Sequence, residues 1–209
     1  MFLFFSQSLH PASRGNLPAG LSEWYYPVEP GTGLHPRPAS ASALKAYFPE
    51  IDDSWSSVWY PSRKGEDTAA LHDRLSGFLS ALIPEVQRRF AGAHKRILLV
   101  GHAATVVALA RELVGDRSLS FQAACCSLTV LDRKDAVAGV GGWTAKVLGD
   151  GSHLKDGLLR GWGFEDAAIE KGVVGIVTTV SWSVTLNLLS LTSDFSAGCN
   201  RTRRARDGE

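Results

Sequence analysis

The sequence predicts an α/β domain built on a mostly parallel sheet, and three neighbouring segments carry this prediction. Apolar side chains recur at helical spacing over residues 71–90, which predicts a helix with one buried face. Residues 97–100 form a continuous apolar run, typical of a strand buried on both sides. Residues 105–114 have the spacing of a second amphipathic helix, and Gly115 after them is a helix stop signal. The order helix, buried strand, tight turn and helix indicates a sheet covered by helices.

Two further local features are predicted around this unit. Pro84 lies inside the first helical pattern, so we expect a kink there or a division into two helices. Residues 127–131 and 143–148 have the character of strands, and the glycines at 139–142 between them predict a hairpin.

Composition divides the chain into three parts. Residues 1–19 are expected to form an irregular segment and residues 20–170 a single domain. The composition changes after residue 170, so residues 171–209 are expected to be a poorly ordered tail. Residues 172–193 carry no charge and are long enough to span a bilayer. They are nevertheless rich in Ser and Thr and interrupted by Asn187, so we expect no membrane span.

The charge balance and the cysteines exclude several classes of function. Lys and Arg number 22 against 21 Asp and Glu, so no overall field directs the chain to nucleic acid or membranes. We expect contact with nucleic acid only indirectly. Three cysteines are too few for a disulfide framework and fit a reducing compartment, the cytoplasm or the nucleus. The common nucleotide-binding and metal-binding motifs do not occur, so neither a cofactor nor a metal is expected.

His102 is the strongest candidate functional residue. It lies between the apolar run and the second helix, at the end of a strand where open α/β sheets place ligands. A helix N-terminus adds backbone N–H donors and a partial positive charge. An imidazole there can bind and neutralise a phosphoryl oxygen. The alternative is a core histidine whose ring is hydrogen-bonded to the backbone.

The segment ILLVGHAATVVALARELVG around His102 resembles the second histidine motif of the histidine phosphatase (phosphoglycerate-mutase-like) superfamily. The segments GLHPRP, WYPSRKGE and GSHLKDG are similar to fungal members, including relatives of the mutase-like subunit of transcription factor tau. The resemblance implies a three-layer phosphoglycerate-mutase-like fold and phosphoryl transfer, with a phosphorylated small molecule or phosphoprotein as substrate. It also implies that His102 is the catalytic histidine that contacts the transferred phosphoryl group.

A second motif points to Glu23. The sequence GLSEW at residues 20–24 resembles the segment that carries the proton donor in the same branch of the family. The resemblance implies that Glu23 protonates the leaving oxygen from a partly desolvated cleft; the alternative is an exposed loop carboxylate.

Arg37, Arg63 and His153 lie in the segments that are similar to fungal members of the family. They are candidates for binding an anionic substrate, with surface salt bridges as the alternative role.

The sequence departs from the family at the nucleophile. Its Arg-His-Gly motif does not occur in these 209 residues, and neither His10 nor Arg14 has a matching context. Without a nucleophile, covalent phosphoryl transfer has no first step. Its loss costs a rate factor on the order of 10⁶, whereas acid catalysis contributes about 10²–10⁴. We therefore expect these residues to be inactive as a phosphatase or mutase.

The same departure affects the expected fold. The missing segment supplies the family's first strand, beside the strand at residues 97–100. A sheet lacking the first strand has an unpaired edge, so we expect aggregation or a partner along that edge.

Three alternatives remain open. The chain could be a non-catalytic binding or scaffold module in a larger assembly, such as a transcription factor complex. It could be an incomplete gene product, in which case an in-frame Arg-His-Gly segment lies upstream of Met1. Residues 100–104 also resemble the nucleophile elbow of α/β hydrolases. Ala103 occupies the position of the serine nucleophile there, so that enzyme would be inactive.

Overall fold

The structure is a computed structural model that describes residues 3–5, 14–15, 19–37, 39–49, 51–55, 59–91, 96–135, 139–164 and 185–190. The helices are α1 (Ala41–Lys45), α2 (Thr68–Phe90) and α3 (Ala103–Val114), preceded by a 3-10 turn at Ala19–Leu21. The strands are β1 (Leu3–Phe5), β2 (Arg14–Gly15), β3 (Ile51–Asp52), β4 (Arg96–Gly101), β5 (Leu128–Arg133), β6 (Trp143–Asp150) and β7 (Thr185–Ser190). The chain is therefore mixed α/β, as the sequence predicts.

The seven described strands form one sheet in the order β3-β2-β1-β4-β7-β5-β6. Four pairings are antiparallel, namely β1 with β2, β1 with β4, β4 with β7 and β5 with β6. Among the described strands, only β2 with β3 and β5 with β7 are parallel. The prediction of a mostly parallel sheet is therefore wrong. In a parallel sheet, the strand that follows α3 would pair with β4 in the same direction. Here the neighbours of β4 are β1 and β7, which come from distant parts of the chain and are antiparallel to it.

Strand β4 lies in the interior of the sheet, as its apolar run predicts. It pairs with β1 on one side, where Leu99 faces Leu3, and with β7 along its whole length on the other. Ile97 and Leu99 are buried. The expectation of an unpaired edge beside this strand is therefore wrong, because backbone groups of β1 and β7 occupy both sides.

Both outer parts of the chain contribute to the sheet. Residues 1–19, expected to be irregular, contain β1 and β2. Thr185–Ser190 belong to the segment expected to be poorly ordered, and they form β7 between β4 and β5. The rest of residues 171–209 lies outside the described residues, as does most of the uncharged stretch 172–193. None of the described helices is long and apolar enough to cross a membrane.

Helix α2 confirms the predicted helix over residues 71–90, and Pro84 does not divide it. Asp67 caps the N-terminus, where its side chain accepts a hydrogen bond of 2.7 Å from the Ala70 amide. Ala91 ends the helix in the left-handed conformation, with φ 44°. Pro84 lies on the exposed side of the helix. The missing backbone hydrogen bond is tolerated because the apolar face on the opposite side stays packed.

The main hydrophobic core lies where α2 and α3 pack together over the sheet. The buried face of α2 includes Leu71, Leu75 and Phe78, as the apolar stripe predicts. From α3, Leu109 and Leu113 join the same cluster. Helices α2 and α3, which precede and follow β4 in the sequence, therefore share one core. Their packing holds the junction between β4 and α3 in place.

The predicted hairpin is also present. Strands β5 and β6 pair antiparallel from Leu128 opposite Asp150 to Arg133 opposite Trp143. A short connection between consecutive strands imposes this antiparallel pairing. Trp143 is buried, and the Arg133 guanidinium lies 5.8 Å from the centre of its ring.

Candidate functional site

His102 lies at the junction of β4 and α3. It is the N-cap residue of α3, with an extended backbone (φ −93°, ψ 159°). Its carbonyl accepts the first helical hydrogen bond from the Val106 amide, at 2.9 Å. Its side chain does not cap the helix. The backbone carbonyl of His102 therefore caps the start of α3, while its imidazole ring is available for another contact.

The structure brings Glu23 and His102 into direct contact. The distance between Glu23 Oε2 and His102 Nδ1 is 2.8 Å. The other carboxylate oxygen of Glu23 accepts a hydrogen bond from the Trp24 amide, at 2.9 Å. The side chains of His102 and Glu23 are 29% and 37% exposed, so the pair lies at the surface of the fold and solutes can reach it. Both candidate catalytic residues thus belong to one site.

This contact decides which nitrogen of His102 is available. An ionised carboxylate only accepts hydrogen bonds, so Nδ1 carries the hydrogen atom that points to Glu23. Among the described residues, no group bonds to Nε2. In the neutral ring Nε2 is an acceptor or base, and in the protonated ring it is a second donor. The site therefore offers one oriented nitrogen that can donate a hydrogen bond to an anion or accept a proton.

Helix α3 holds the segment that carries Glu23. The Thr105 hydroxyl donates a hydrogen bond of 2.9 Å to the Ser22 carbonyl. Thr105 is fully buried, and it lies one turn after His102 on the same helix. The first turn of α3 therefore positions His102 and also fixes the backbone next to Glu23.

Trp24, the residue after Glu23, belongs to a cluster of aromatic rings. The Trp24 ring lies edge-on to Phe164 and Trp162, with centroids 5.6 and 6.2 Å apart. The Arg111 guanidinium covers Phe164 at 4.9 Å from its ring centre. In the part of the chain that the structure describes, no lysine or arginine forms an ion pair with Glu23. Binding of an anion here would consequently depend on His102 and on the N-terminus of α3.

The described contacts of Arg37 and Arg63 are with residues other than Glu23 and His102. Arg63 is exposed and donates from Nε to the His35 carbonyl, at 3.0 Å. Arg37 is exposed and lies 5.1 Å from the centre of the Tyr60 ring. Neither of them is hydrogen-bonded to the Glu23–His102 pair within the described ranges. His153 is exposed as well, and its ring contacts the Cys126 carbonyl at 3.1 Å.

The motifs do not predict the residues that support Glu23. Thr105, Glu66 and Arg74 all contact the segment that carries it. The sequence does place Arg74 on the buried face of α2, because it lies three residues after Leu71 and four before Phe78 in the apolar stripe. A charged residue on a buried helix face requires a partner. That observation predicts an interaction, although it does not identify the partner.

No family model matches this chain, and no curated protein matches it either. Within the described ranges, no group of three or more His, Cys, Asp or Glu side chains could hold a metal ion. The functional argument therefore rests on the geometry of Glu23 and His102 together with the two motifs that contain them.

Proposed function

We propose that this chain is a phosphoglycerate-mutase-like protein of the histidine phosphatase superfamily, with the three-layer fold of that family. In this proposal, Glu23 and His102 form the retained part of a phosphoryl-transfer site. The observation that carries it is the 2.8 Å contact between the two side chains. Two separate motifs suggested these residues, and a chance arrangement has no reason to join them.

The geometry supports phosphate binding more directly than catalysis. A protonated His102 donates from Nε2 to a phosphoryl oxygen while Nδ1 stays bonded to Glu23. The first backbone N–H groups of α3 add donors for the same anion. Glu23 can donate a proton to a leaving oxygen only after it has taken one up and turned away from Nδ1. Since no Arg-His-Gly nucleophile occurs in these residues, they bind a phosphorylated ligand and do not turn it over.

Two measurements on the purified 209-residue chain test this function. Calorimetric titration with inorganic phosphate is expected to show binding that His102→Ala abolishes and Glu23→Gln weakens. Arg88→Ala, which removes an exposed arginine paired with Glu85, is the control and is expected to bind phosphate as the unchanged chain does. With p-nitrophenyl phosphate, we expect the turnover of the unchanged chain to equal that of His102→Ala. Absence of phosphate binding, or turnover that disappears in His102→Ala, would refute the proposal.

A second candidate function is a non-catalytic protein-binding module. It is favoured by several large apolar side chains that are exposed, namely Leu34, Tyr47, Phe48, Trp59 and Tyr60. This candidate does not require a ligand at His102. Phosphate binding that His102→Ala abolishes would therefore favour the first function, and absence of phosphate binding would leave the protein-binding module as the better candidate.

A further inference from the structure

We propose that Arg74, held by Glu66, is a positioning residue that keeps Glu23 in contact with His102. The inference rests on the proposed function only in taking the Glu23–His102 pair as the site. Glu66 ends the segment WYPSRKGE, for which the sequence offers no chemical explanation, and Arg74 lies on the buried face of α2.

The two side chains form a buried ion pair. Arg74 is 3% exposed and Glu66 is 6% exposed. Arg74 Nε lies 2.9 and 3.0 Å from the two carboxylate oxygens of Glu66. This contact fixes the plane of the guanidinium group and leaves Nη1 to bond elsewhere.

Arg74 directs one terminal nitrogen at the backbone just before Glu23. Nη1 donates to the Gly20 carbonyl at 2.5 Å, and the Ser22 carbonyl lies 3.5 Å from the same atom. The backbone is also close to α2 here, because a side chain on Gly20 would place its Cβ 2.5 Å from the Phe78 ring. Helix α2 and Arg74 therefore set the path by which the chain reaches Glu23.

Glu66 holds the backbone just after Glu23. Its carbonyl accepts a hydrogen bond of 2.9 Å from Trp24 Nε1, and its amide donates to the Tyr25 carbonyl at 2.8 Å. Arg74 and the backbone of Glu66 thus bond to the chain on the two sides of Glu23, and the ion pair links these two anchors. The Glu23 carboxylate is partly exposed, so these backbone hydrogen bonds are what positions it against His102 in this proposal.

A purely stabilising role explains the pair poorly. Burying two charges costs desolvation energy that their attraction often only matches. Arg74 Nη2 is also buried without a hydrogen-bond partner among the described residues, which adds to that cost. A planar guanidinium can bond a carboxylate and a carbonyl at the same time, whereas a lysine ammonium cannot reproduce this geometry. We therefore attribute the buried Arg74–Glu66 pair to its effect on the position of Glu23.

The test uses the imidazole ¹⁵N chemical shifts of His102 in the full chain. Glu23→Gln defines the spectrum of a His102 that has lost its carboxylate partner. The double variant Arg74→Met with Glu66→Gln removes both buried charges together, so neither is left unpaired. We expect this variant to show the His102 shifts of Glu23→Gln, with loss of the preference for hydrogen on Nδ1, while circular dichroism stays unchanged. Arg74→Lys is expected to show the same loss.

Arg133→Met is the matched control, because Arg133 is also buried, at 5% exposure, but lies on β5 against Trp143. It is expected to keep the His102 spectrum of the unchanged chain. If the double variant unfolds, Trp24→Phe removes the bond to the Glu66 carbonyl while keeping an aromatic ring against Trp162 and Phe164, and it is expected to shift His102 partly in the same direction. If Glu23→Gln leaves His102 unchanged, the proposed pair is wrong. If Glu23→Gln changes His102 but the Arg74 variants and Trp24→Phe do not, the positioning role is refuted and the pair stands.

Discussion

At the scale of single residues, the site depends on contacts between side chains and backbone carbonyls. Two motifs in the sequence select Glu23 and His102 as one site, and the structure shows the contact between them. Thr105 could not be predicted, since its hydrogen bond goes to the Ser22 carbonyl, and every residue has such a carbonyl. A sequence shows which side chains are able to donate, but a backbone acceptor becomes visible only when the fold brings it close.

Thr105→Val is expected to disturb both stability and the site. The substitution keeps the shape of the side chain but removes the donor to the Ser22 carbonyl, so we expect a loss of about 1–3 kcal/mol in the free energy of unfolding. The His102 imidazole resonances should shift as well, because the Glu23 backbone loses its tether to α3. Urea denaturation and imidazole NMR measure the two effects.

Thr129→Val is the control for this substitution. Thr129 is equally buried, and its hydroxyl accepts a hydrogen bond of 3.1 Å from the Gly149 amide. It should lower stability by a similar amount without moving the His102 resonances. Equal shifts of His102 in both variants would show that the Thr105 contact has no specific role at the site.

At the scale of secondary-structure elements, a buried polar contact joins the two main helices. His72 Nδ1 on α2 lies 2.8 Å from Glu112 Oε1 on α3. Glu112 also accepts a hydrogen bond of 2.7 Å from Arg117 Nε. Burial lowers the pKa of His72 from its usual 6.5, and the bond to Glu112 opposes this only in part. The folded protein therefore resists protonation of His72.

The sign of the pH dependence follows from this shift. Below about pH 6.5 the unfolded chain binds a proton at His72 that the folded chain does not. Stability from this residue is complete above pH 6.5 and is lost as the pH falls towards the lower folded pKa, with a slope of at most about 1.4 kcal/mol per pH unit.

His72→Gln is expected to reduce the loss of stability on acidification, since the amide can still donate to Glu112 but does not titrate. Urea denaturation between pH 7.5 and 5.5 measures the difference from the unchanged chain. His153→Gln, at an exposed histidine, should retain the original slope. An unchanged slope in His72→Gln would contradict the prediction.

At the scale of the whole molecule, the sequence predicts local elements better than their assembly. The helices α2 and α3, the interior strand β4 and the β5–β6 hairpin follow from apolar spacing and glycine positions, which are local properties. The sheet order does not, because β4 pairs with β1 and β7 from distant parts of the chain. Thr185–Ser190 carry no local signal that selects β4 and β5 as partners, and their composition predicts a tail. The prediction of a mostly parallel sheet is wrong for the same reason, because the relative direction of two strands depends on which distant segments pair.

The most direct test of the central claim is a two-dimensional ¹H–¹⁵N spectrum of the histidine side chains, recorded for the full chain with increasing inorganic phosphate. If Glu23 and His102 form one phosphate-binding site, His102 carries its hydrogen atom on Nδ1 in the neutral ring. Phosphate should then move the Nε2 resonance of His102 while leaving those of His35 and the buried His72 in place. A His102 with hydrogen on Nε2, or a spectrum that phosphate does not change, would contradict the claim.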